Sequence, residues 1–412
     1  MPMGRPIRRE SRDMVIIVTA GSIVLALAFG VRAVFGGVIE PLSNDLFGGS
    51  IEIFSFSIAI QNLVWGLAQP GFGMIADKYG DRLAIWLGFF CYVLGMGICV
   101  LGTTPFAQHM GAGVLVGMGI SGTAFGTVLA VVGRAAPLEK RGFYLGVTSA
   151  MGSAGQAILP LLVSWLIEWF DWQMTLVIVT GMLTPMVLCI PFLRVGGDTV
   201  VVEDTVDLPQ TVRQAFGHSS FTMLSVGFFV CGFHLAFITA HLPNYVQNFC
   251  VGTNLSPEEL RALGLRALAL AGFANIFGTL LASRLGGMFP KPYVLAVIYA
   301  LRSVIILVFI LFPLTPTSVM IFGLLMGGLW LSTVPLTSAL VLVMFGPRVL
   351  GTLFGFVFLS HQLGGFVGVW LGGVWFDQYG NYDSVWIVAI ALGLASALNH
   401  LTVRERAAPA LA

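Results

Sequence analysis

The sequence predicts an all-α polytopic membrane protein, with twelve transmembrane helices arranged as two pseudo-symmetric six-helix bundles. Three observations predict it. Hydrophobic residues make up 57% of the 412 and charged residues only 9%, against about 25% charged in a soluble domain, and the mean hydropathy is +0.93. A chain this poor in charge cannot cover a water-facing surface, so its apolar runs face lipid or one another. Those runs recur at about 20 residues or more, separated by connectors whose charge alternates in sign. Finally, the second half of the chain repeats features of the first. The 51 glycines fit helices that approach closely without a hydrophobic drive between them.

Each helix follows from an apolar run and the charges that flank it, with the N-terminus placed in the cytoplasm. Arg5, Arg8, Arg9 and Arg12 precede the first run, 14–40, which no small-residue cleavage site follows, so it is read as a retained helix. Glu40, Asp45 and Glu52 then fall outside, and the run 51–76 returns to Lys78 and Arg82 inside. Runs 83–102 and 107–134 go out and back to Arg134, Lys140 and Arg141. Run 141–168 reaches Glu168 and Asp171 outside, and 172–194 ends at Arg194 inside. The polar stretch 195–217, with Arg213, is the longest charged connector. Run 218–248 goes out to Glu258 and Glu259, joined there by Arg261 and Arg266, and 262–287 comes back to Arg284 and Lys291. Runs 291–313 and 317–345 lead to Arg348 inside, and 349–376 and 382–402 pass Asp377 and Asp383 outside before Arg404 and Arg406 inside. One crossing more or fewer before any of these connectors would scramble the asymmetry. Both termini are therefore expected in the cytoplasm of a multi-pass inner-membrane protein.

The repeat divides the chain into bundles 1–194 and 218–412, joined by the cytoplasmic linker 195–217. Gly142, Gly146 and Gly155 match Gly351, Gly355 and Gly364 at one constant offset, and ADKYGD (76–81) has an echo in ASRLGG (282–287). Two like-oriented bundles would enclose a central cavity. The net charge of +1 argues against a nucleic-acid partner. The five cysteines are scattered through apolar runs and form no metal-type pair, so no metal and no disulfide framework are expected. Neither a carboxylate pair nor a P-loop, H-E-x-x-H or G-x-S-x-G motif is present, so no enzyme activity and no cofactor are expected.

The turn after the second run reads Gly73-x-x-x-Asp77-x-x-Gly80-x-Arg82, and it resembles the signature loop of the major facilitator superfamily. WFDWQMTLVIV (169–179) is similar to that superfamily as well. The resemblance implies a monomeric secondary transporter working by alternating access, with Gly73, Asp77, Gly80, Arg82 and Arg134 forming a cytoplasmic latch between the halves. Within the superfamily, GFHLAFITAHLPNYV (232–246), GLWLSTVPLT (328–337) and FLSHQLGGFVGVWLGGVWFDQYGNYD (358–383) look most like bacterial relatives of the monocarboxylate transporters. That implies a monocarboxylate cargo and a coupled proton; the competing expectation is an exporter of drugs or neutral metabolites. One position departs from the pattern. Asn275 matches, but Thr279 stands where the family carries an Arg one turn further on.

Charge inside a bilayer is costly, at roughly 2.5–3.5 kcal/mol for a central Arg on insertion scales, so Arg32 and Arg302 draw attention first. Neither has an acid in the apolar core; Glu40 lies about two turns beyond Arg32. A guanidinium can hold a carboxylate with two parallel bonds. Arg32, on the helix that the resemblance places at the cavity, is thus the expected anion anchor, unless it is structural. Arg302 is expected either in the cavity or bracing a neighbouring helix. His234, His241 and His361 could pass protons or simply pack. Asn275 and Gln362 are expected substrate contacts alongside His234 and His361. Asn62, Gln156, Asn244, Tyr245 and Thr333 are further polar candidates, and Trp330 either walls the cavity or packs. The absence of any Asp or Glu in the middle of a run tilts the cargo toward small organic anions.

Overall fold

A computed structural model describes residues 7–137, 141–193, 208–346 and 350–407 of the chain. Among them, twelve helical stretches are long and apolar enough to cross a membrane. The first is α1 (Ile7–Ala33) continued by α2 (Phe35–Leu46). Then come α3 (Ile51–Tyr79) and α4 (Asp81–Leu101). The fourth span joins α5 (Pro105–Gln108), a π-helical turn over His109–Leu115, α6 (Val116–Thr123) and α7 (Phe125–Ala135). α8 (Arg141–Trp169) is the fifth, and α9 (Trp172–Gly181) with α10 (Thr184–Cys189) the sixth. A short α11 (Leu208–Gly217) leads into α12 (Ser219–Phe249), α13 (Pro257–Met288) and α14 (Lys291–Leu311). The tenth span is split into α15 (Pro316–Gly328) and α16 (Thr333–Phe345), before α17 (Leu350–Tyr379) and α18 (Asp383–His400). An even number of crossings brings both described termini to one end of the molecule, here the near end. The expected linker 195–217 lies outside the described residues up to 207.

Three departures from the sequence reading bear on the site. The first span runs to Leu46 rather than residue 40, so Glu40 sits on a helix and not in a loop. Helical bonding tightens for one turn at Val34 (Val34 N to Val31 O, 3.4 Å; Gly37 N to Val34 O, 2.9 Å), and the axis restarts there, one residue past Ala33. The eighth helix starts at Pro257, not 262, because Ser256 and Glu259 form a capping box with proline in the first turn. Arg261 is therefore 8% exposed on a helix instead of lying in a loop. The tenth span is two helices separated by Leu329–Ser332, where a single helix was expected.

Glycines decide which helices touch. A Cβ on Gly155 of α8 would lie 1.9 Å from Ala26 O of α1. Its repeat counterpart Gly364 of α17 stands in the same relation to α12, 1.9 Å from Phe229 O. The internal repeat thus places the same packing device at matching positions of the two bundles: only a residue without a side chain lets these backbones meet. Gly80, at φ +96°, makes the turn between α3 and α4, a conformation that an L side chain strains. Arg134 of α7 pairs with Asp81 at that turn.

The bundles meet where α3 lies along α17, α8 against α13, and α2 against α12. Among the described residues, the hydrogen bonds that cross between them run from the middle of the molecule to the far end. Gln362 Nε2 donates to Asn62 O (3.1 Å) and Asn275 Nδ2 to Ser153 Oγ (3.0 Å) at mid-depth. Gln247 Nε2 donates to Glu40 Oε1 (2.5 Å) nearer the far end. At the far end itself, the Asp377 carboxylate of α17 accepts from Ser50 Oγ (2.6 Å), Ile51 N (2.9 Å) and Glu52 N (2.9 Å) at the start of α3.

Candidate functional site

Arg32 lies at the end of α1, just before the helix axis restarts, and faces the seam between bundles. Its Nη2 donates to Asn62 Oδ1 at 2.6 Å, and its guanidinium sits over Trp65, 5.0 Å from the ring centroid. Asn62 is held in place by a bond from its own Nδ2 to Ile58 O (2.8 Å). The Asn62 carbonyl accepts from Gln362, whose Oε1 in turn lies 2.8 Å from His361 Nδ1. Three of the residues expected at the site, Arg32, Gln362 and His361, are thus joined through Asn62 into one polar chain that crosses from the first bundle to the second.

Beside Arg32 lies a narrow chamber lined also by Gln61, Asn62, Ile58, Gly36 and Thr239, with room for little more than a water molecule. Arg32 Nε and Gln61 Oε1 are both buried there without a hydrogen-bond partner. None of the residues lining it is acidic. A buried donor and a buried acceptor left unpaired each cost about 1–3 kcal/mol, so a polar guest that paired with them would be favoured.

A second narrow chamber adjoins the first and shares Thr239. Its walls include Ala33, Pro160, Leu268 and Trp330, with Gln156 the other polar side chain, and it carries no charge. Trp330 belongs to the break in the tenth span, and Arg302 explains how that break is held. This arginine, fully buried, donates Nε (3.2 Å) and Nη2 (2.5 Å) to Leu329 O and Nη2 to Trp330 O (2.5 Å). From the other side, Asn275 Oδ1 accepts from Leu331 N (2.9 Å) and from Thr279 Oγ1 (3.1 Å). The threonine in the place of the family's arginine thus shares one Asn275 oxygen with the broken segment, and Asn275 itself makes the tie.

The other expected site residues lie elsewhere. Arg302 lines neither chamber and braces backbone. His234 is buried inside the second bundle, with Nε2 2.8 Å from Ala389 O. His241 is buried nearer the far end, between Val369 O (2.9 Å) and Tyr382 Oη (3.2 Å). At the near end, Gly73 packs against nothing that a Cβ would meet, Arg82 is exposed, and the Asp77 side chain lies outside the described residues. Sequence reasoning missed Gln61 and Thr239. Both sit in apolar runs with no charge or spacing to mark them, and Gln61 has only its neighbour Asn62 as a pointer.

Residues 21–258 match the family model described as Major Facilitator Superfamily. The chain is 26% identical to an uncharacterized MFS-type transporter, YcxA, of Bacillus subtilis (strain 168), over 86% of this chain and 86% of that protein. It is 25% identical to monocarboxylate transporter 13 of Bos taurus, over 90% of this chain and 84% of the other. Among solved structures, it is similar to a bacterial homologue of the human lysosomal transporter Spinster in an inward-facing, unoccupied conformation (TM-score 0.70, 15% identity, 96% and 99% covered). It is similar also to a D-xylose–proton symporter (TM-score 0.71, 13% identity, 94% and 98% covered).

Proposed function

The chain belongs to the Major Facilitator Superfamily, and from that premise we propose that it is a secondary transporter carrying a small organic anion, a monocarboxylate, together with a proton across the cytoplasmic membrane by alternating access. The near end is the cytoplasmic face, with both termini inside, and the two bundles, 1–194 and 218–412, rock about the central seam. Arg32 carries this reading. It is a permanent cation on a chamber between the bundles, with an unpaired Nε and no acidic neighbour among the lining residues. A carboxylate oxygen placed there would accept from Nε, while Asn62 keeps hold of Nη2 and fixes the orientation of the fork. Gln362 and His361, on the same polar chain, would sense the bundle movement, and the proton would travel on His361 or on the cargo's own acid group. The similarity to a protein named as a monocarboxylate transporter over 90% of this chain supports the cargo class. Gly73, Asp77, Gly80, Arg82 and Arg134 act as the near-end latch, with the Arg134–Asp81 pair steadying the α3–α4 turn.

Arg32→Gln tests the reading. A hydrogen bond to a charged group contributes roughly 1.5–3 kcal/mol, so the variant should bind short carboxylates about 10- to 100-fold more weakly while purifying as a folded monomer. Calorimetry on protein in nanodiscs measures this. Carboxylate affinity equal to that of the unaltered protein would remove the anchor.

A further inference from the structure

We propose that the cargo is an amphipathic anion, a monocarboxylate whose tail of a few carbons or an aromatic ring lies against Trp330 while its head is held at Arg32. The inference rests on the anion reading above and adds the second half of the site. The two chambers are poles of one cleft. Arg32 lines one and Ala33, the next residue of α1, lines the other, and Thr239 of α12 belongs to both. Their chemistry differs sharply: the first holds the cation with its unpaired Nε donor, and the second is uncharged and mostly apolar. A guest with charge at both ends would leave one end desolvated against Leu268 and Trp330 without a partner, which is unfavourable. A guest with one charged and one apolar end matches both poles. The apolar wall is also a built one. Trp330 is 6% exposed and sits on backbone that does not continue the helix; Arg302 and Asn275 pin the residues around it from opposite sides. Both chambers are too narrow for such a guest in this state, so binding requires the bundles to part along the seam.

The test is a homologous series, acetate to hexanoate, with the matching primary alcohols, titrated into the full chain in nanodiscs. Affinity for the acids is expected to rise about three- to fourfold per methylene, the usual gain from burying one, until the second chamber is full. Trp330→Ala should weaken hexanoate at least tenfold more than acetate. Leu268→Phe, which fills the chamber from another lining residue, should shorten the longest acid that binds, and it serves should the tryptophan variant fail to fold. Acids that bind with no dependence on length would overturn the amphipathic cargo and leave the anion reading standing. A length dependence untouched by either substitution would overturn the assignment of the tail to this chamber. Alcohols binding as tightly as acids would overturn the anion reading, and the amphipathic anion with it, leaving only the tail's place in the second chamber; a series in which nothing binds would overturn all of it.

Discussion

Replacing Gly232 with alanine is expected to destroy the folded state. A Cβ at this position on α12 would lie 1.7 Å from His361 O of α17, well inside contact distance and against backbone that no rotamer change can move. Gly364 and Gly368 on the facing helix are similarly pressed against Phe229 O and Phe233 O (1.9 and 2.7 Å from a built Cβ). To admit one methyl, the helices must part by more than an ångström along this crossing. Helices in lipid hold together by van der Waals contact and interhelical bonds, with no hydrophobic drive to compensate. Overpacking a tight core typically costs about 1–3 kcal/mol, occasionally more, and a backbone clash belongs at or above the top of that range. Gly232→Ala should therefore lose its monodisperse peak in size-exclusion chromatography or melt many degrees lower. Gly146→Ala is the control, since nothing lies within 4 Å of its Cβ position. Equal melting of the two variants would refute the crossing.

The second large effect is expected at Asp377. Its carboxylate accepts three bonds from the first residues of α3, on the other bundle, two of them from backbone N–H groups at a helix start. Such groups have no partner within their own helix and carry its positive dipole end. Ser50 does not cap its own helix; its hydroxyl turns to Asp377 instead. Hydrogen bonds to a charged group contribute roughly 1.5–3 kcal/mol, and exposure at this site reduces the sum. A loss of about 2 kcal/mol on Asp377→Ala would shift the balance between far-end-closed and far-end-open forms about 30-fold toward the open one. Spin labels at exposed Asn44 and Gln378, in a background freed of native cysteines, would show a longer-distance population absent from the parent. An unchanged distance distribution would mean that Asp377 does not hold the far end shut. Because two of the three partners are main-chain groups and the third is a hydroxyl, no charge-reversed residue on α3 can restore the contact.

Most of the fold was legible because hydropathy and charge asymmetry are long-range averages. Twelve spans and their approximate limits follow from them, and single errors cancel. What escaped was local. Nothing in GLWLST announces that the tenth span breaks at Leu329–Ser332, because the residue that stabilises the break, Arg302, comes from a different helix. The start of α13 was readable in Ser256-Pro257-x-Glu259, a capping signal that the apolar pattern alone overran. At the candidate site, Arg32 stood out by its cost in a membrane, whereas Thr239 joins both chambers without any compositional mark. Asp377 reads in sequence as one outer acid among several; its grip on α3 exists only once two segments 326 residues apart meet.

The helix contacts are of two kinds. Within a bundle, Gly155, Gly232 and Gly364 press directly on carbonyl groups of the neighbouring chain, a join that cannot be loosened and remade without the whole partner moving. Along the seam the approach is less close: a Cβ on Gly36, Gly66, Gly272, Gly365 or Gly373 would lie 2.3, 2.8, 3.1, 3.2 or 2.6 Å from its nearest neighbour, side chain at some positions and backbone at others. The first kind acts as a weld and the second as a zip. Any labelling study should therefore find α12 and α17 travelling as one plank, with the relative motion placed along the seam, where α17 faces α3, α13 faces α8 and α12 faces α2.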